Sequence, residues 1–414
     1  MFPATRRFED RASPTRGMGG TMTDASLAAP ARNLLIDTLR AFALIGVYMV
    51  HMFEQYEIYW AAPRQNLTHA IFTTFFMGKA FSLLTLCFGL SFFLLMDKAD
   101  RRGTDFSGRF AWRMAVLALI GLAHSLVYRG DILMVLAPLG LILIPYHRAS
   151  NRMILGLAAV LLAQPWLLFE IFSAATGAAW ANQSPHHYGD TGPAFYRTAP
   201  LGQVLVWNVW QGQSFKWWFF LETGRLFQIL ALFLVGLRLG RAGFFDNPDR
   251  FKAERRAALT ALAAFAIACH FGAAPLAALA PDATAAPMAR KLVGTLLGGW
   301  FDVSLMGVYV LLIVELYAGP LRKALERLAP MGRMTLTFYV LQSLVWVPIF
   351  YGFGLGAWKW LPQSTALWLG LGFLVLQGVV ATLWFKRFHY GPLEWVWRAA
   401  TYMTTKVPFM RKAA

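Results

Sequence analysis

The sequence predicts an all-α, polytopic integral membrane protein of about ten transmembrane helices with both termini cytoplasmic. Three observations predict it: a shortage of charge, a series of apolar runs long enough to cross hydrocarbon, and a one-sided placement of Lys and Arg. Of 414 residues, 57% are hydrophobic and only 14% charged, whereas a soluble domain carries about 25% charged residues. A lipid-facing surface demands that deficit, because a charge in hydrocarbon is costly unless paired or hydrated. The formal net charge of +17 raises nucleic acid as a partner, but the basic residues cluster in alternate loops, which is the positive-inside pattern of a membrane protein. The lipid bilayer is therefore the expected partner, and nucleic acid is not.

In chain order, residues 1–31 are polar, Gly/Pro/Ala-rich and basic, with Arg6, Arg7, Arg11 and Arg16. No apolar core follows the Arg pair closely, so this reads as a disordered cytoplasmic tail rather than an export signal. Met18 or Met22 would serve equally as a start. Apolar runs then predict spans near 33–53, 70–96, 111–128, 132–146, 152–173, 217–239, 257–280, 295–317, 334–353 and 366–385. The third and fourth are short and joined by Arg129, Gly130 and Asp131, which predicts a tight helical hairpin. Inner loops carry Lys98, Arg101, Arg102 and Arg109, then Arg148 and Arg152, then Arg241, Arg250, Lys252, Arg255 and Arg256, then Arg322, Lys323 and Arg327. The predicted organisation is thus the tail 1–31, a five-helix unit over 32–173, an outer loop over 174–216, a second five-helix unit over 217–390 and an amphipathic cytoplasmic tail over 391–414. Trp207, Trp210, Trp217 and Trp218 fall where an outer aromatic belt is expected. Cys87 and Cys269 lie in apolar stretches outside any metal or redox pattern.

The first span, RNLLIDTLRAFALIGVYMVHMF, carries the most chemistry. At about 100° per residue, Asp37, Arg40 and His51 share one helix face, and Arg40 and His51 stand about 16 Å apart along the axis. Ionisable groups at such depth face a bundle interior or an aqueous cavity. The competing reading is that Asp37 and Arg40 orient the helix at the inner interface while His51 is a hydrogen-bonded packing residue. On the same outer side, AHSLVYRGDIL brings His124 and Asp131 near Glu54 and Glu57, and an imidazole beside a carboxylate is how a neutral base is held in one tautomer. Alternatively, Asp131 pairs with Arg129 and caps the fourth span. Lys79 has no partner in its own span and needs an acid or a phosphate from elsewhere. Glu222 and Arg225 are one turn apart and can neutralise each other. His186, His187 and Asp190 could ligate a metal, but a flexible polar loop is the simpler account, and no metal is expected. Gly236/Gly240 and Gly352/Gly354/Gly356 suggest close helix packing.

Three stretches resemble the YeiB family of bacterial membrane proteins, defined by domain of unknown function 418. They are IDTLRAFALIGV, LIGLAHSLVYRGDILMVLAPLG, and GRMTLTFYVLQS…IFYGFGLG…FKRFHYGPLEWVWRAATY, the last centred on Gly391-Pro392-Leu393-Glu394-Trp395. The resemblance implies a multi-pass protein of the bacterial inner membrane. That family is distantly similar to transmembrane acyltransferases, namely the acyltransferase-3 sugar modifiers and the lysosomal heparan-glucosaminide acetyltransferase. Those enzymes carry an acyl group from cytosolic acyl-CoA to an acceptor on the far side. The acyltransferase-3 pattern places a His fourteen residues after the Asp of D-x-L-R, and Asp37 to His51 has that spacing here. YeiB relatives typically carry Asn at this position, so either this chain keeps a base its relatives lack or the spacing is accidental. What the resemblance implies is an acyl-CoA donor and an unknown acceptor. His51 would be the base, with His124, Asp131 or Glu54 orienting it, and Arg40 with inner-loop bases would hold the coenzyme phosphates. A proton-coupled transporter using His51, Lys79, His124, Glu222 and Arg225, and a non-catalytic scaffold, stay open beside it, as does an oligomer.

Overall fold

The computed structural model describes residues 33–281 and 286–411, and the tail expected over 1–31 lies outside them. Every regular element among the described residues is a helix. In order they are α1 (Leu34–Phe53), α2 (Leu67–Phe75), α3 (Lys79–Asp100), α4 (Ser107–Val127), α5 (Leu133–Leu141), α6 (Asn151–Ala163), α7 (Pro165–Ala175), α8 (Gly192–Phe195) and α9 (Leu201–Trp207). There follow α10 (Gln213–Glu222), α11 (Arg225–Arg241), α12 (Lys252–Ala278), α13 (Ala289–Ala318), α14 (Arg322–Glu326), α15 (Ala329–Arg333), α16 (Thr335–Phe350), α17 (Gln363–Arg387) and α18 (Pro392–Tyr402).

Seven of these segments are long and apolar enough to cross a membrane, or eight if the bent pair α9–α10 and α11 counts as one. This is a multi-pass membrane protein. Two expected spans are shorter than the rest: 334–353 becomes the 16-residue α16, and 132–146 becomes the nine-residue α5 followed by a 3-10 turn over Ile144–Arg148. In the second of these, Pro138 interrupts the ladder inside α5 and Pro145 in the 3-10 turn lacks the N–H that would carry it onward. The expected span 217–239 is not one helix: the chain bends by 70° between Glu222 and Arg225, at Gly224 with φ +70°. Part of the expected outer loop 174–216 is also helical, through α8, α9 and a π-helical turn at Asn208–Gly212 that leads into α10.

α1 is the axis of the bundle. Leu35, Leu39, Leu44, Tyr48, Met52 and Phe53 on it are all buried, and it packs against α3, α15, α16 and α17. α3 lies along α11, and a Cβ at Gly236 would strike the Leu86 carbonyl, as one at Gly89 would strike that of Phe233. The expected close packing at Gly236 is therefore present, since glycine lets two helix backbones touch. α4 and α5 form the predicted hairpin.

The Gly391–Trp395 segment has a structural task. The Glu394 carboxylate accepts hydrogen bonds from the Leu336 and Thr337 backbone N–H groups at 2.8 and 3.0 Å, closing the N-terminus of α16 from another element. Burial pushes the Glu394 carboxyl up from the ordinary carboxylate range, even against these hydrogen bonds. The two halves of the C-terminal motif, GRMTLTF and GPLEW, thus meet.

Candidate functional site

One polar cluster forms where α1 and α4 end side by side. α1 stops at Phe53, and Gln55, Tyr56 and Glu57 all take left-handed φ values of 47°, 53° and 79°. Three consecutive non-glycine residues in that region store strain of about 1–3 kcal/mol each, which persists only where the surroundings over-determine it. Here the Tyr351 hydroxyl donates to the Tyr56 carbonyl at 3.0 Å, and the Trp60 indole donates to Glu54 Oε1 at 2.8 Å. The turn delivers Glu54, Tyr56 and Glu57 inward, the first two buried and Glu57 half-buried.

His51 shares a hydrogen bond with the Tyr128 hydroxyl through Nδ1 at 3.0 Å and lies 3.7 Å from Glu54 Oε2. Its Nε2 is buried without a hydrogen-bond partner among the described residues. His124 pairs through Nδ1 with Asp131 Oδ1 at 2.7 Å, and both side chains are sealed, at 1% and 0% exposure. Its Nε2 is likewise buried and unpartnered. Asp131 has its remaining oxygens occupied: Oδ2 accepts from the Met134 N–H and its carbonyl from Lys216 Nζ. The aspartate therefore fixes the His124 ring and leaves Nε2 as the atom with chemistry to do. The Tyr128 ring stands 5.1 Å from His51 and 6.2 Å from His124, so one phenol separates two imidazoles. Tyr339 packs edge-on to His124 at 5.2 Å while its hydroxyl accepts from the Ile132 N–H.

The expected base and its orienting groups, His51, Glu54, His124 and Asp131, are thus brought together. The alternative pairing of Asp131 with Arg129 is not formed. Arg129 instead donates to Glu57 and, with both terminal nitrogens, to Asp190. A guanidinium fork spans two carboxylates better than one short hairpin neighbour, and His124 then takes Asp131. The capping part of that reading holds, since Asp131 does bond the first turn of α5.

The expected substrate-binding residues divide into three groups. Arg40 pairs with Asp37 at 3.2 Å and donates to Ser91 Oγ at 2.6 Å, at the opposite end of α1 from His51. Lys79, only 1% exposed, finds its acid on another helix: Asp302 of α13 lies 2.6 Å away, and Arg225 reaches the same carboxylate at 3.5 Å. Glu222 does not pair with Arg225. The turn at Gly224 sends them to different partners, and Glu222 binds both His186 and His187 through their ring and backbone nitrogens. The side chains proposed as a metal set are therefore committed to Glu222 and, for Asp190, to Arg129.

Tyr128, Lys216, Tyr339 and Asp302 were not singled out from the sequence. Asp302 is a lone acid in an apolar run, a signal available from composition alone. The tyrosines give no such signal, because aromatic residues are common throughout this chain.

Residues 239–404 match the family described as "Protein of unknown function (DUF418)". The uncharacterized protein YxaH of Bacillus subtilis (strain 168) is 26% identical over 402 residues, covering 89% of this chain and 94% of its own. An uncharacterized 39.9 kDa protein in the amylase 3′ region of Bacillus acidopullulyticus is 25% identical across 91% of this chain and 95% of its own. Uncharacterized protein YeiB of Escherichia coli (strain K12) is 23% identical across 89% of this chain and 96% of its own. No solved structure matches the chain.

Proposed function

The chain belongs to the YeiB-like DUF418 family, and from that premise we propose that it is a membrane-embedded acyltransferase-like protein. It moves an acyl group from cytosolic acyl-CoA to an envelope or small-molecule acceptor. On this reading the chain crosses the bacterial inner membrane about ten times with both termini cytoplasmic. The observation that carries it is the pair of imidazoles His51 and His124, each held by Nδ1 and each with a buried, unpartnered Nε2. His51 Nε2 takes the proton of the acceptor hydroxyl or amine as that group attacks the thioester carbonyl; the C–S bond breaks, and the coenzyme thiolate leaves with the proton handed back from His51. Tyr128 and Glu54 orient His51, and the His124–Asp131 pair stands across Tyr128. Arg40 and neighbouring bases hold the coenzyme phosphates at the other end of α1. The test supplies acyl-CoA of several chain lengths to proteoliposomes in the presence of envelope extract. Coenzyme A release above that of empty vesicles, lost in His51→Ala, supports the reading; no release at any length removes it.

One observation favours a second reading, proton-coupled transport. Lys79 and Arg225 begin helices directly after left-handed glycines, Gly78 and Gly224, and both meet Asp302. Broken helices enclosing charge at membrane depth are a transporter device. Flux that depends on a proton gradient and stops in Asp302→Asn, with no acyl-CoA consumed, would favour it.

A further inference from the structure

At the end of the bundle opposite His51, α18 lies across the start of α4 and gathers arginines over aromatic rings. Arg113 stacks 3.5 Å over Trp397, Arg109 lies 5.2 Å over Tyr402, and Arg398 lies 5.5 Å from the same Tyr402 ring and 5.0 Å from Tyr390. Two indoles lock the helices together, Trp397 donating to the Arg113 carbonyl and Trp112 to that of Ala400, both at 2.9 Å.

Arg113 is the informative member. Among the described residues its Nε is buried without a hydrogen-bond partner, and Nη1 makes only a long contact of 3.4 Å to Thr401 Oγ1. Its charged neighbours Arg398 and Arg40 are cations too. Among the described residues Arg109, Arg113 and Arg398 have no ion pair. A solvated basic rim would leave its guanidinia in water; here one is drawn under a helix and left short of acceptors. Stacked guanidinia keep their N–H edges in plane and free, which suits the bidentate geometry of phosphoryl oxygens.

We propose that Arg113 and Arg398, with Arg109 at the rim, form a phosphoryl-binding site between α4 and α18. The phosphoryl group comes either from coenzyme A or from an anionic lipid headgroup. With coenzyme A as the source the proposal rests on the acyl-transfer reading and names its donor subsite; with a lipid it stands alone.

The test uses the full-length protein in phosphatidylcholine nanodiscs titrated with coenzyme A. A parallel arm uses discs containing phosphatidylglycerol and reads lipid retention by native mass spectrometry. Arg113→Gln, Arg398→Gln and Arg113→Lys are compared with wild type at matched thermal stability. The expected result is a loss of tenfold or more in coenzyme A affinity in both Gln variants, with Lys only partly restoring it. Phosphatidylglycerol retention lost in the variants, with no coenzyme A binding, keeps the site and removes the acyl-transfer donor. Coenzyme A bound equally by all variants, with lipid retention unchanged, overturns the site while leaving acyl transfer intact. Binding of neither probe overturns both.

Discussion

Replacing Asp302 by Asn isolates a charge without removing volume. Lys79 is 1% exposed and its Nζ lies 2.6 Å from the Asp302 carboxylate. Breaking a buried ion pair from one side costs about 3–5 kcal/mol, because the remaining charge is left uncompensated. Two contacts soften this: Nζ still donates to the Thr73 carbonyl at 3.1 Å and sits 4.5 Å from the Phe301 ring, the second worth about 1 kcal/mol. Against them, Arg225 loses the carboxylate that stood between the two cations. The net cost is about 3 kcal/mol, roughly a hundredfold in the folded-to-unfolded ratio. The assay is a double-mutant cycle read by denaturant unfolding in mild detergent. Asp302→Asn should lose about 3 kcal/mol, and adding Lys79→Met should recover about 1–2 kcal/mol of it by removing the stranded ammonium. An Asp302→Asn loss under about 0.5 kcal/mol, or a double variant less stable than both single ones, would mean that the buried Lys79–Asp302 pair does not stabilise the fold in this way.

The other predictions concern packing, docking and the histidine pair. Gly236→Val drives a side chain into the Leu86 carbonyl and should cost about 3 kcal/mol or more, while Gly298→Ala, which meets nothing within 4 Å, should stay near wild type in the same melt. Glu394 binds its proton more tightly when α18 is docked, so its contribution is full below the ordinary carboxylate range and fades as pH rises through its raised folded value. Hydrogen exchange in α16 and α18 should therefore quicken as pH rises beyond the intrinsic exchange trend, and Glu394→Gln should flatten that dependence. Asp131→Asn removes the carboxylate that fixes His124. On the acyl-transfer reading it should lower acyl-CoA turnover by about 10²–10⁴-fold if His124 takes part in proton transfer, with coenzyme A affinity unchanged.

Much of this fold is legible because lipid imposes one rule on long segments: apolar runs must be helices of sufficient length. α1, α4, α12, α13 and α17 fall close to the stretches that hydropathy alone marks. The break between α10 and α11 is not legible, since Gly224 inside an apolar run looks like any other small residue in a span, and only the left-handed φ reveals a bend. The site divides in the same way. The spacing of Asp37, Arg40 and His51 follows from helix geometry on one element, and His124 with Asp131 lie seven residues apart across a hairpin. The partners of Arg129 are 72 and 61 residues away, at Glu57 and Asp190. Nothing local distinguishes them from the adjacent Asp131, so a near neighbour was expected and tertiary packing chose otherwise.

On the acyl-transfer reading, the chemistry takes place at the His51 end of the bundle. The most direct measurement incubates purified protein with radiolabelled acetyl-CoA, comparing wild type with His51→Ala and with Gly298→Ala as a folded control. Label retained on the protein, or coenzyme A released faster than in buffer, is expected in wild type and control, with both lost in His51→Ala. Equal signals in wild type and His51→Ala, or no binding and no turnover across several acyl chain lengths, would contradict that reading.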